Sequence, residues 1–501
     1  MVDYPKGATG FAQPMRFEAN VYDCETIGTV PKDIAGSYVM VGPEWYFPQM
    51  YADDGIVDAD GHIFKFRFKN GVVDFQSRWV KTPRWENNRE AHRQLYGKYR
   101  NPYTDDPSIR EMTLKQPNLR TLGNTHTLAH AGKLFAIKED APPFEIDPRT
   151  LNTKPGFYDF GGQYDSETFS AHNKIDPLTG ELLAYGYEAA GLCSPDLYVY
   201  TMDKTAKITR RWRVKMPEVR MIHDMAATEK HFIFPCGPYV TSLDWLKAGN
   251  CHWAWDGSRP SLIGILPRDG DAKDMRWFKG KTRAMVHIVN AKTEGNIVTL
   301  YAAYVDGPFA PFIPYFKALD GSPLKPSPAL LRKYTFDLNS KSDEYKEEVV
   351  WNTPVGDIGR VDTRYMTLPN RYAYLTHNDP TKPFDEAKVG NLRGRVSNVY
   401  SRYNLENNSV STYFAGPTHS LAEPSFVPRG KASRNAVMHG SGDEGDGYII
   451  GLASNLAEMR SELVIADSQH LEDGDVARVI LPFRTSGLHG LWIGDDEIDF
   501  G

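Results

Sequence analysis

Short alternating segments broken by tight-turn residues recur along the whole chain, and no other feature limits its fold as strongly. His62-Ile-Phe-Lys-Phe-Arg-Phe68 alternates apolar with polar, Lys69-Asn70-Gly71 turns, and 72–80 returns. Asn-Gly accepts the positive φ angles that a two-residue hairpin needs. Residues 125–129 and 134–137 flank Ala131-Gly132 in the same way. Further turns read at 176–180, at Glu294-Gly295-Asn296 and at Gly445-Asp446-Gly447, each ahead of another apolar run. Pro and Gly are spread evenly, without a linker-like concentration. A length of 501 residues suggests about three domains. A repeat fold can absorb the same length in one. The pattern predicts an all-β chain, one β-propeller domain over 1–501.

Helical signals are few: 86–96, 242–248, and 328–333 with Ser327 as cap and Pro328 at the first helical position. They fall in three segments, about 84–120, 240–260 and 305–335, which read as insertions on one face. The stretch Gly307-Pro-Phe-Ala-Pro-Phe-Ile-Pro-Tyr-Phe316 is too rich in proline for a long helix or a central strand. It reads as a hydrophobic plug or as an aromatic pocket wall.

Composition narrows the function classes. Net charge is −6 with no basic stripe, which argues against nucleic acid. Four cysteines, Cys24, Cys193, Cys236 and Cys251, form no metal-like or redox pair, as expected in a reducing cytoplasm. The first residues have no signal-peptide pattern, and no run is long enough to span a bilayer.

Four of the 14 histidines share one context: each is on or beside an apolar strand that leads into a turn. They are His172 in Phe169-Ser-Ala-His172-Asn-Lys-Ile175, His223 in Val219-Arg-Met-Ile-His223-Asp224, His287 in Ala284-Met-Val-His287-Ile-Val-Asn290, and His489 in Gly487-Leu-His489-Gly-Leu-Trp. A lone histidine of this kind is ordinarily a core residue. Four at matching positions of different blades would converge on the propeller axis. Spacings of 51, 64 and 202 residues exclude a local zinc finger. An all-imidazole site suits iron, copper, nickel or zinc. Ligating histidines usually donate their second N–H to a carboxylate. Glu139, Asp357 and Glu423 sit in apolar strand contexts suited to that task, although each read alone is an ordinary surface acid.

These four contexts, together with Glu423-Pro-Ser-Phe-Val-Pro-Arg429, Ser461-Glu-Leu-Val-Ile465 and Val476-Ala-Arg-Val-Ile-Leu-Pro482, resemble the carotenoid cleavage oxygenase superfamily from about Gly36 onward. The resemblance implies an all-β, seven-bladed β-propeller with a loop and helix dome over one face, formed by the three inserted segments, and one Fe(2+) per subunit on its axis, held by His172, His223, His287 and His489. It implies cleavage of a carbon–carbon double bond with O2 to two carbonyl products. Within the superfamily, Tyr99-Arg-Asn-Pro-Tyr103, Lys138-Glu139-Asp140-Ala-Pro-Pro143, Phe309-Ala-Pro-Phe312 and Gly487-Leu-His489-Gly490 are similar to the bacterial lignostilbene dioxygenases. On that likeness Glu139, Asp357 and Glu423 support the ligands, and Thr125 packs near an open coordination position. Lys138 and Tyr103 contact the 4-hydroxyl of a small hydrophobic phenolic substrate, with Tyr99 as the alternative to Tyr103, and Phe312 stacks on a ring. Asp357 stands where the wider family has glutamate, one methylene longer. Ala310 and Ile313 stand where larger aromatics are expected, which implies a roomier pocket. The resemblance allows a homodimer.

Three other readings compete. An apocarotenoid-cleaving enzyme would use the same metal, but a hydrocarbon gains nothing from Lys138. A non-catalytic binding propeller has no need of four axial histidines. A zinc hydrolase would bind zinc and consume no oxygen.

Overall fold

The structure, a computed structural model, describes residues 14–501 apart from 52, 309–316, 323, 325–326, 357 and 431–441. The described residues form eight sheets of three to six strands, with few helices. The predicted hairpins are present. Asp60–Lys69 pairs antiparallel with Val72–Trp79 through a turn in which Asn70 and Gly71 take φ of 55° and 80°. His126–His130 pairs with Lys133–Ile137 through Ala131 and Gly132 at 52° and 70°. Two successive positive φ values give the turn whose twist matches that of the flanking strands. Most sheets run in chain order, as Leu182–Tyr187, Asp196–Met202 and Ile208–Lys215 do.

The two ends of the chain lock together. The last strand, His489–Gly494, pairs antiparallel with Gly36–Glu44 and sets His489 opposite Val41. Thr26–Gly28 pairs with Asp475–Ile480. The last segment passes so close to its partner strand that a Cβ on Gly487 would stand 2.0 Å from the Met40 sulfur. One on Gly490 would stand 2.8 Å from the Val39 carbonyl oxygen. Both glycines are needed for room rather than for an unusual backbone.

The helices differ from expectation in detail. The first is Pro83–Ala91, not 86–96. Thr82 caps it by accepting from the Trp85 amide, Pro83 starts it, and His92 stops it in the left-handed region. Pro107–Lys115 is a helix that the periodicity did not reveal. Leu243–Lys247 forms as expected, with Ser242 accepting from the Trp245 amide. Residues 328–333 are not helical. Ala329–Asp337 is a strand between Ile297–Val305 and Lys346–Val355, so the expected dome segment 305–335 ends in sheet. Pairing on both edges outweighs the cap-like Ser327-Pro328 signal.

Candidate active site

The four histidines converge although their elements differ. His172 precedes the short strand Lys174–Ile175 and bridges in parallel to Asp224. His223 precedes Ala226–Ala227. His287 lies in Ala284–Glu294, where the register shifts between Met285 and Ile288. Such an irregularity re-aims a side chain that regular pleating would send elsewhere. His489 opens the last strand. Asp224, which the sequence reading passed over, ties three of these segments together. One of its oxygens accepts from Lys174 Nζ (2.7 Å) and the Met225 amide, and the other from the Ile288 amide at 2.9 Å.

One ring nitrogen from each of His172, His223, His287 and His489 lies within 4.8 Å of the others. The Nε2 atoms of His172 and His223 are 3.1 Å apart, and those of His223 and His287 are 3.2 Å apart. Nitrogens about 2.1 Å from a common ion, at right angles, would be about 3 Å apart. The donor set therefore fits a metal with only neutral imidazole ligands.

The far nitrogens are engaged outward. His223 Nδ1 donates to Glu139 Oε2 at 2.9 Å, and His489 Nδ1 donates to Glu423 Oε1 at 3.1 Å. These bonds set the tautomer in which Nε2 is the unprotonated nitrogen of each ring. Burial works to raise the Glu139 carboxyl. His223 and the hydrogen bonds from His223 and Tyr99 outweigh it and hold the group at about 2. Glu423 is likewise held far below the carboxylate range against burial, by Arg360 and His489. Arg360 Nε lies 2.7 Å from Glu423. A fifth histidine, His126, stacks on His172. Both its nitrogens face partners, the Ala171 carbonyl at 2.8 Å and Arg360 at 3.3 Å, so it is no ligand.

Burial pushes His489 down to about 4 and His172 far below the ordinary histidine range. A histidine whose folded pKa lies below its unfolded value of about 6.5 stabilises the fold above pH 6.5, and that stability is lost as pH falls toward 4. His489 alone accounts for about 3 kcal/mol over this window. Melting curves of metal-free protein between pH 7 and 4 should show the loss. A flat profile would mean that the rings are not buried as neutral groups.

Three of the four histidines, His223, His287 and His489, line a mostly apolar cavity of 260 Å3, whose walls include Met221, Tyr239 and Leu421. Thr125 also lines it. Lys138 and Tyr99 stand on the same wall. The Lys138 side chain is 4 % exposed, and Nζ donates to the Val57 carbonyl and to Asn124 Oδ1, both at 2.9 Å. Nζ lies 5.1 Å from the centre of the Tyr99 ring. Tyr99 donates to Glu139 Oε1 at 2.6 Å. Tyr103 sits in the turn Pro102–Thr104 and does not line the cavity. Of the two tyrosines, Tyr99 is the one that lines the cavity. Asp357, Phe312, Ala310 and Ile313 fall outside the described residues.

Residues 12–494 match the family described as retinal pigment epithelial membrane protein, RPE65. The chain belongs to the RPE65/carotenoid cleavage oxygenase family. Members similar to it include an isoeugenol monooxygenase of Pseudomonas putida, 38% identical with 96% of both chains covered. Another is lignostilbene-alpha,beta-dioxygenase isozyme III of Sphingomonas paucimobilis, 36% identical with 98% of both chains covered. The crystal structure of Pseudomonas brassicacearum lignostilbene dioxygenase superposes with a TM-score of 0.91 at 34% identity, covering 99% of this chain and all of that one. Family and relatives make the chain a carbon–carbon double-bond-cleaving oxygenase. No described helix is long and apolar enough to cross a membrane.

Proposed function

We propose that the enzyme cleaves the central double bond of a 4-hydroxystilbene of lignin type with O2, giving two aromatic aldehydes. One Fe(2+) per subunit is held by His172, His223, His287 and His489. Iron bound there supplies the activation of O2. The observation that carries the substrate class is Lys138, a buried lysine on the wall of a mostly apolar cavity that three of the histidines line.

The side chains act on the substrate end. A phenol ionises near pH 10, and an adjacent cation favours its charged form. Two of the three Lys138 ammonium protons are engaged by neutral acceptors, leaving one for the substrate oxygen. Tyr99 donates its O–H to Glu139 and keeps its oxygen as an acceptor toward the substrate. Ionisation of the phenol moves electron density through the ring to the alkene, which then reacts with oxygen. Met221 and Leu421 keep water from the apolar part of the cavity. Glu139 and Glu423 support the ligands as in the sequence reading, and we assign Asp357 the same task and Phe312 the stacking one.

The seven-bladed propeller, as one domain over 1–501, is supported by seven antiparallel sheets. The eighth, smaller sheet joins Ala254–Trp255 to Lys317–Ala318 in parallel, inside the segments assigned to the dome. The four free thiols fit a cytoplasmic enzyme.

Oxygen uptake by Fe(II)-loaded protein tests the reading. The panel holds 4-hydroxystilbene, its 4-methoxy analogue, isoeugenol and an apocarotenal. We expect uptake with the 4-hydroxystilbene and little with the methoxy analogue or the apocarotenal. Isoeugenol is a second candidate, because it also carries a 4-hydroxyl conjugated to an alkene and a relative is named for it. Preference for the apocarotenal would replace the reading. Uptake with none of them would refute it.

A further inference from the structure

We propose that Asn124 determines selection of the phenolic substrate, by holding Lys138 in place without neutralising its charge. The inference rests on the reading of Lys138 as the group that meets the substrate oxygen.

A lysine buried in an apolar wall would ordinarily be paired with a carboxylate. Lys138 is not. The carboxylates of Asp140, Glu139 and Asp58 favour the charged form of Lys138 against burial, yet its hydrogen bonds go to none of them: Glu139 is engaged by His223 and Tyr99, and Asp140 by the Thr121 hydroxyl at 2.6 Å. The acceptors of the ammonium are an amide oxygen and a main-chain carbonyl. Both orient the group, and neither cancels its charge. The positive field therefore reaches the cavity, where a substrate oxygen is the partner still to be supplied.

The amide of Asn124 has one permitted orientation. Nδ2 donates to the Val57 carbonyl at 3.1 Å and to the Ala59 carbonyl at 2.7 Å. Two carbonyls leave no alternative to the NH2 on that side. Oδ1 must then face Lys138, and it also accepts from Thr125 Oγ1 at 3.1 Å. The side chain is 1 % exposed, so water does not substitute for it. Asn124 thus joins the Lys138 wall to Thr125, which lines the same cavity as the histidines. Aspartate would occupy the same volume and place a carboxylate against the ammonium. The cavity would then present an ion pair instead of a cation.

The test uses the metal-loaded enzyme and the ratio of kcat/KM for 4-hydroxystilbene to that for 4-methoxystilbene. A second readout is 4-nitrophenol, whose phenolate absorbs visible light, followed as it ionises when bound. Asn124→Asp is expected to lower the ratio by about tenfold or more, toward the value for Lys138→Met, and to remove the acid-ward shift of bound 4-nitrophenol. Asn124→Ala keeps the charge and loses only the aim, so its ratio should lie between wild type and Asn124→Asp. A merely structural role predicts slower turnover of both substrates in proportion with the ratio unchanged, because aspartate and alanine alike leave the Val57 and Ala59 carbonyls without the amide donor. Should Asn124→Asp fail to fold, Asn124→Ala decides alone, since an unchanged ratio and probe shift there would overturn the proposal. If Lys138→Met loses discrimination while both Asn124 variants keep it, the proposal falls and the reading of Lys138 stands. If Lys138→Met keeps discrimination, the reading itself falls and the proposal with it.

Discussion

Lys138→Met should bind a full complement of iron and turn over 4-hydroxystilbene slower by roughly two to four powers of ten. Nζ is no part of the histidine cluster, and methionine fills similar apolar space, so metal content measured by elemental analysis should not change. What is lost is a charged hydrogen bond to the ionising oxygen in a desolvated cavity. A bond of that kind is worth about 3 kcal/mol. Two opposite charges 3 Å apart at an effective dielectric near 20 give about 5 kcal/mol. Each 1.36 kcal/mol is a factor of ten in rate. Glu139 and Tyr99 stay bonded to each other in the variant, so the supporting wall persists. Wild-type turnover in iron-replete Lys138→Met would end the idea that a cation activates the phenol.

His489→Ala should lose most of its metal and melt at a lower temperature. The substitution removes one of four nitrogen donors from the axis and leaves a void where a fully buried ring stood. It also takes one hydrogen bond from Glu423, which keeps the Gly490 amide at 3.0 Å and the Arg360 pair. A void plus a weakened buried carboxylate costs about 2–4 kcal/mol. His126→Ala is the control. That ring stacks within the same cluster, yet its nitrogens face Ala171 and Arg360, so metal content should hold. Full iron occupancy in His489→Ala would remove His489 from the ligand set.

How much of this was legible in the sequence depends on how local each signal is. The Asn70-Gly71 and Ala131-Gly132 hairpins were readable because the turn chemistry and the alternation lie within a dozen residues. The histidines were readable as a set because four contexts match in form, even though their partners are hundreds of residues away. The strand at Ala329–Asp337 was misread because Ser327-Pro328 resembles a helix start. The pairing that overrides it comes from residues on either side in space. Tyr99 and Tyr103 lie four residues apart in an irregular stretch, and no periodicity says which faces inward. Between them Arg100 adopts a left-handed φ of 47° and pairs with Glu188 at 2.8 Å, a contact invisible in the sequence. Asn124 carries no local signal, and the role proposed for it rests on Val57, Ala59 and Lys138 surrounding it. Asp224 and Arg360 escaped notice for the same reason.

The pairing of Val41 with His489 also bears on how the protein acquires its structure. The two residues are 448 positions apart, so their contact closes a loop of nearly the whole chain. Contacts of that separation form late and slowly, after local hairpins have already gained their stability. The last of the four histidines therefore joins the other three only when the two ends of the chain pair, and an ion bound by all four would hold that state by mass action. Metal supply during refolding would then govern the lifetime of the closed ring as well as the activity of the finished enzyme.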